Sequence, residues 1–146
     1  MPKWHILASA ILAVMVFKVT NSPAAAVACF ISGTAIDLDH VLDYYLYSGR
    51  LSLNPSEISG FYQDFGKVIV VLHSYELLVV GAVAAYMLEA NLLFVGAATG
   101  FMGHMLMDTL AYEMKPQSYF LVYRVINGFE LRKLCCIDKV HDNMQG

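Results

Sequence analysis

The chain has 146 residues, 58% of them hydrophobic and only 14% charged, with a mean hydropathy of +0.57 and a formal net charge of −3. A soluble domain carries about 25% charged residues, so this balance argues against an ordinary soluble enzyme, and the mild negative charge gives no reason to expect a nucleic-acid partner. The length is that of one domain. Its long uncharged runs predict a single all-α, membrane-embedded domain over residues 1–146, an integral membrane bundle of about four transmembrane helices with short interfacial helices.

The first apolar run predicts a helix near residues 4–20, closed by Thr20-Asn21-Ser22-Pro23, and a second run predicts one near 23–37, closed by Asp37. Each is shorter than the ~20 residues that span a bilayer comfortably. The first run is either a retained helix or a signal peptide, with Lys3 as its n-region and Ala24-Ala25-Ala26 as its cleavage zone. Ala26-Val27-Ala28-Cys29 even has a faint lipoprotein look. The two-helix reading is preferred, because the chain turns apolar again at once.

Asp37-Leu38-Asp39-His40 opens a polar stretch, residues 38–66, read as a structured cytoplasmic loop. Asn54 or Ser56 is expected to cap a short helix within it that runs to Phe65. A third helix is predicted near 67–89, with His73, Ser74 and Glu76 in its first turns, and a fourth near 91–113. Gly96 with Gly100, and Gly81 with Ala85, are spaced for close helix packing. Residues 115–146 read as an interfacial amphipathic tail, in preference to a hairpin turning at Asn127-Gly128. Cys29, Cys135 and Cys136 make no disulfide framework. Lipidation of Cys135 or Cys136 is a secondary reading.

Gly100 to Asp108 reads G-F-M-G-H-M-L-M-D. On a helix His104 and Asp108 stand one turn apart on one face, where ionisable groups within a membrane are expensive and mark function. The structural alternative is that Asp108 fixes the His104 tautomer, or that both line a polar helix contact. Topology decides against it. Four spans put both termini, the 38–66 loop and Lys3, Arg50, Lys67, Lys115, Arg124, Arg132, Lys133 and Lys139 on one side, and Lys18 alone on the other. That is the positive-inside pattern of a bacterial inner-membrane protein whose termini and site are cytoplasmic. His73 then lies about nine ångströms into the third helix at 1.5 Å per residue, level with Asp108. Asp37, Asp39 and His40, at the end of the second helix, share that depth.

His40, His73 and His104 with Asp37, Asp39 and Asp108 make a mixed nitrogen and oxygen donor set. Such a set suits zinc best, with iron, manganese or nickel as further fits, and six donors accommodate one or two divalent ions. The chemistry is activation of water against a phosphoester or carboxyl ester. Asp39 lies off the face shared by Asp37 and His40, so either the helix unwinds there or Asp39 orients a histidine. Glu76 is a candidate general base, or else a carboxylate paired within the bundle. Ser74 reads as a hydrogen-bonding group, not a nucleophile. Arg124 and Lys67 read as juxtamembrane cations or phosphate binders. Met102, Met105 and Met107 read as packing residues, and His5 and His141 as incidental.

Asp37-Leu38-Asp39-His40, then His73-Ser74, then Gly100 with His104 and Asp108 resemble the D-x-D-H, H-S and G-x-x-x-H-x-x-x-D pattern of the predicted membrane-bound metal-dependent hydrolases, the YdjM-like proteins. The resemblance runs from the second helix through the fourth. That family is distantly similar to the all-helical zinc-dependent phospholipase C and nuclease group, so the resemblance implies metal-activated water attacking a phosphoester, as of a lipid. There is one departure: many family members carry a His-Arg pair a few residues before H-S, where this chain has Val68-Ile69.

The expected function is a membrane-bound metal-dependent hydrolase whose partners are the lipid bilayer and a lipid or phosphoester substrate. Asp37, Asp39, His40, His73, His104 and Asp108 are its expected metal ligands, with Glu76 or Asp39 in the acid–base role. The alternatives are a small metal-ion or proton transporter using the same cluster, and a non-catalytic membrane protein with a structural metal site. A transporter needs polar groups across the whole bilayer, and the outer halves of these helices carry almost none.

Overall fold

Asn21 and Ser22 make the first reversal of the chain, between α1 (Pro2–Thr20) and α2 (Pro23–Ala35). Asn21 adopts the left-handed conformation, φ 50°, and donates its N–H to the Phe17 carbonyl at 2.8 Å. Ser22 Oγ accepts the Ala25 N–H at 3.3 Å, and Pro23 fills the first helical position, where an N–H would go unused. In this computed structural model, which describes residues 2–87, 89, 91–111 and 114–135, the chain is all-helical, with α3 (Leu38–Ser48), α4 (Pro55–Phe65), α5 (Tyr75–Met87), α6 (Leu92–Ala111), α7 (Leu121–Ile126) and α8 (Leu131–Leu134) following.

Asp37 does not open a loop. Ile36 and Asp37 form a tightened turn, in which the N–H groups of Asp39 and His40 reach the carbonyls of Ile36 and Asp37 at 3.0 and 3.2 Å. Helix then resumes as α3 and ends at left-handed Gly49, φ 69°. Asn54 caps α4 through the Ser56 N–H at 3.1 Å, so of the two expected caps it is Asn54 that serves. The stretch 38–66 is therefore mostly two helices.

The third helix starts later than its apolar pattern indicates, at Tyr75, and residues 67–74 are irregular. Side chains have taken the backbone groups that a helix would use. Asp43 Oδ2 accepts the Ile69 N–H at 3.2 Å, and Asp39 Oδ2 accepts the Leu72 N–H. Buried Arg124 donates to the carbonyls of Val70 and His73. The β-branched run Val68 to Val71 also gives up little by leaving the helix.

The tightest packing joins α2 to α6, with α1 laid against both. A Cβ on Gly96 would fall 2.0 Å from the Ala25 carbonyl oxygen, and one on Gly100 would fall 2.0 Å from that of Cys29. Ser32 Oγ crosses the same seam to the Ala97 carbonyl at 2.7 Å. The expected close approach at Gly96 and Gly100 is present, whereas Gly81 on α5 faces open space. A second, smaller core gathers Tyr62, Val68, Val70 and Leu134.

Among the described residues, two helical runs are long and apolar enough to cross a membrane, Lys3–Thr20 and Pro23–Ser48. The third apolar run yields only the 13-residue α5. The 20-residue α6 is long enough, but carries His104 and Asp108 within it. The tail is no continuous interfacial helix. A turn of 3₁₀ helix at Pro116–Tyr119, α7 and α8 are separated by a break at Asn127-Gly128, with Gly128 at φ 64° and Phe129 at φ 59°. Residues 136–146, with Cys136 and His141, lie outside the described residues.

Candidate metal centre

Five donors converge from four parts of the chain: His5 from the start of α1, Asp37 from the α2–α3 turn, His73 from the irregular stretch, and His104 and Asp108 from α6. His104 Nε2 lies 3.3 Å from Asp108 Oδ2 and 3.6 Å from Asp37 Oδ1. His73 Nε2 lies 3.4 Å from Asp108 Oδ2. His5 Nε2 lies 3.2 Å from Asp108 Oδ1, and its Nδ1 lies 3.5 Å from Asp37 Oδ2. All are buried except Asp37, whose side chain is 29% exposed.

Proximity does not become hydrogen bonding. His5 Nδ1, His73 Nε2, His104 Nε2 and Asp108 Oδ1 are buried without a hydrogen-bond partner, a costly arrangement unless something else satisfies them. Two of these rings, those of His73 and His104, are aimed by bonds on their far sides. His104 Nδ1 meets the Gly33 carbonyl at 2.8 Å, and only an N–H can make that bond, so Nε2 keeps its lone pair. His73 Nδ1 faces Asp39 Oδ2 at 3.5 Å, leaving its Nε2 to the cluster. Carbonyl and carboxylate partners behind imidazoles are what metal-ligating histidines have. Ligands held at 2.0–2.1 Å around a tetrahedral zinc stand about 3.3 Å apart, close to the 3.2 to 3.6 Å found here. The buried His/Asp cluster is therefore one that can hold a metal ion.

The other expected residues fall around this centre. Asp39 is not in either close donor group; it holds His73 and the Leu72 amide, the orienting role. His40 is not in either group, and its ring lies 4.4 Å from that of His73. Glu76 is occupied elsewhere: its two carboxylate oxygens accept the N–H groups of Leu121 and Val122 at 2.9 and 3.0 Å, anchoring α7. Ser74 Oγ donates to the Val71 carbonyl at 2.7 Å, closing the irregular turn. Met105 is fully buried as packing.

Two residues matter more than the sequence indicated. His5 is no incidental terminal histidine but a member of the cluster. A signal was present in the sequence: His5 and Ser9 stand one turn apart on one face of a mostly apolar helix, and both are buried in the fold. Arg124 is 1% exposed, with its guanidinium on the backbone of the His73 segment, so it is not a surface phosphate binder. Burial pulls it below the usual arginine range, against the opposing pull of Asp39, Glu76 and Asp43. An imidazole and a guanidinium thus reach this region from His5 and Arg124, though Val68-Ile69 supplies neither.

No protein-family profile, curated protein or solved structure matches the chain.

Proposed function

We propose that the protein is a membrane-embedded metal-dependent hydrolase of a phosphoester or lipid ester, with the His5, Asp37, His73, His104 and Asp108 cluster as its metal centre. One observation carries the reading: buried ring nitrogens from separate segments face two carboxylates at ligand-to-ligand distances, without hydrogen bonds. The two closest donor groups share His104. Since one imidazole nitrogen ligates one ion, a single zinc is the best-fitting occupant. Bound there, it supplies a Lewis acid and an activated water at neutral pH. Asp37 gives the centre its open edge, through which water and an ester oxygen reach it.

The membrane setting is part of the proposal. The helices turn Ile6, Ile11, Val14, Phe30, Val79, Val83, Val95 and Leu106 outward, an apolar surface of the kind a bilayer covers. A four-span arrangement, completed by α5 and α6, sets the centre toward the cytoplasmic leaflet by the positive-inside rule. Lys18 is the only acidic or basic residue in the opposite halves of these helices, which favours a site on one side of the bilayer over a transport path. The YdjM-like resemblance agrees in reaction class.

Metal analysis of the detergent-purified chain tests the proposal, with about one zinc per chain expected and none in His104→Ala. Zinc-loaded protein is then offered phospholipids and soluble phosphodiesters. Absence of tightly bound metal, or metal without hydrolysis of either class, overturns it.

A further inference from the structure

The Tyr62 hydroxyl lies between two side chains outside the donor groups, 3.1 Å from His40 Nδ1 and 3.1 Å from Asp43 Oδ2. Asp43 Oδ2 also receives the Ile69 N–H at 3.2 Å, so it acts as an acceptor and takes the one hydrogen that the phenol has. The phenol oxygen can then only accept from His40, and Nδ1 must carry the imidazole hydrogen. Burial, reinforced by the Asp43 carboxylate, holds Tyr62 protonated far above the ordinary tyrosine range. A neutral imidazole protonated at Nδ1 presents a bare lone pair at Nε2. That atom has no hydrogen-bond partner among the described residues. The His40 ring rests 4.4 Å from the His73 ring, and its side chain, like that of Asp37, is only partly buried. His40 and Asp37 are thus the partly exposed residues at the margin of an otherwise buried centre.

We propose that His40 is the general base of the site and not a metal ligand, with Tyr62 and Asp43 as positioning residues that fix its tautomer. As the oxygen of an attacking water bonds to phosphorus, one water proton passes to His40 Nε2. The bond from phosphorus to the leaving oxygen breaks, and the proton passes from His40 to that oxygen, returning the imidazole to neutrality. Between the two transfers the imidazolium is held through its Nδ1–H by the Tyr62–Asp43 chain, as a carboxylate holds a catalytic histidine. The base role rests on the hydrolase reading; the tautomer does not.

The test uses the full chain in detergent, labelled with ¹⁵N-histidine and loaded with zinc, and bis(4-nitrophenyl) phosphate as the probe ester. The His40 signals are expected in the Nδ1–H pattern at neutral pH. Tyr62→Phe abolishes that preference, leaves the zinc content unchanged and lowers kcat about tenfold with little change in KM. His40→Asn keeps its zinc and loses about 100-fold in kcat. An Nε2–H tautomer in the wild type, or zinc lost from either variant, overturns the proposal and leaves the hydrolase reading standing. Zinc-loaded wild type that leaves the ester intact brings down the base role together with that reading, whatever the tautomer.

Discussion

His5 Nε2 and Asp108 Oδ1 lie 3.2 Å apart, joining the first helix to the far end of the sixth. This contact makes α1, which is long and apolar enough to cross a membrane, a contributor to the cluster as well. His5→Ala is expected to weaken zinc retention at least about tenfold, with helical content unchanged by circular dichroism. Metal titration of the purified variant reads the difference; wild-type affinity would mean that His5 only packs there.

Asp39 acts through His73. Asp39→Asn keeps the shape but loses the charge behind the imidazole and disturbs the Leu72 amide bond. Zinc affinity is expected to fall about 10- to 100-fold, measured by competition with a chromogenic chelator. Glu76→Gln, whose carboxylate anchors α7, is expected to leave affinity nearly unchanged and to lower thermal stability instead.

Arg124 ties α7 to the irregular stretch that carries His73. Arg124→Met strands the Val70 and His73 carbonyls and leaves the neighbouring carboxylates uncompensated. The expected loss is about 3–5 kcal/mol, read as a lowered melting temperature in detergent. Arg124→Lys recovers little, because one ammonium lacks the planar fork that reaches both carbonyls.

The α2–α6 seam has no room for a methyl group. Gly100→Ala drives a Cβ into the Cys29 carbonyl and is expected to destabilise the chain by about 1–3 kcal/mol. Gly81→Ala, which meets open space inside α5, should leave stability unchanged or raise it by up to about 1 kcal/mol. Equal melting temperatures for the two variants would contradict this packing.

Tyr62 ties stability to alkaline pH. Its hydroxyl titrates higher in the folded chain than in the unfolded one. Its contribution is therefore complete below the unfolded value of about 10 and is lost as pH rises above it. Melting curves should show a shallower alkaline decline for Tyr62→Phe than for wild type.

Much of this was legible in the residues. Asn54 and Pro55, the Asn-Ser-Pro turn and the Gly96/Gly100 spacing each encode a local physical requirement, and each appears as read. His73, His104 and Asp108 meet, as expected from their residue types and order, although His73 arrives on irregular backbone and not within a third helix. What escaped depends on partners distant in sequence. The apolar pattern of residues 67–74 reads as helix because it does not record that Asp39, Asp43 and Arg124 take the backbone groups. His5 looked incidental because its carboxylate partners lie at positions 37 and 108. The amphipathic pattern of the tail reads as one helix because it does not record the break that Gly128 and Phe129, both at positive φ, make between α7 and α8.

The spread of donors along the chain also sets an order of events. The imidazole at position 5 leaves the ribosome long before the carboxylate at position 108, and α7, which steadies the His73 segment, comes later still. A cation held by all five donors would thus be captured only after the last of these elements has docked. A bound ion would stand as a seal of completed assembly, and copies arrested midway would be recognisable by lacking it.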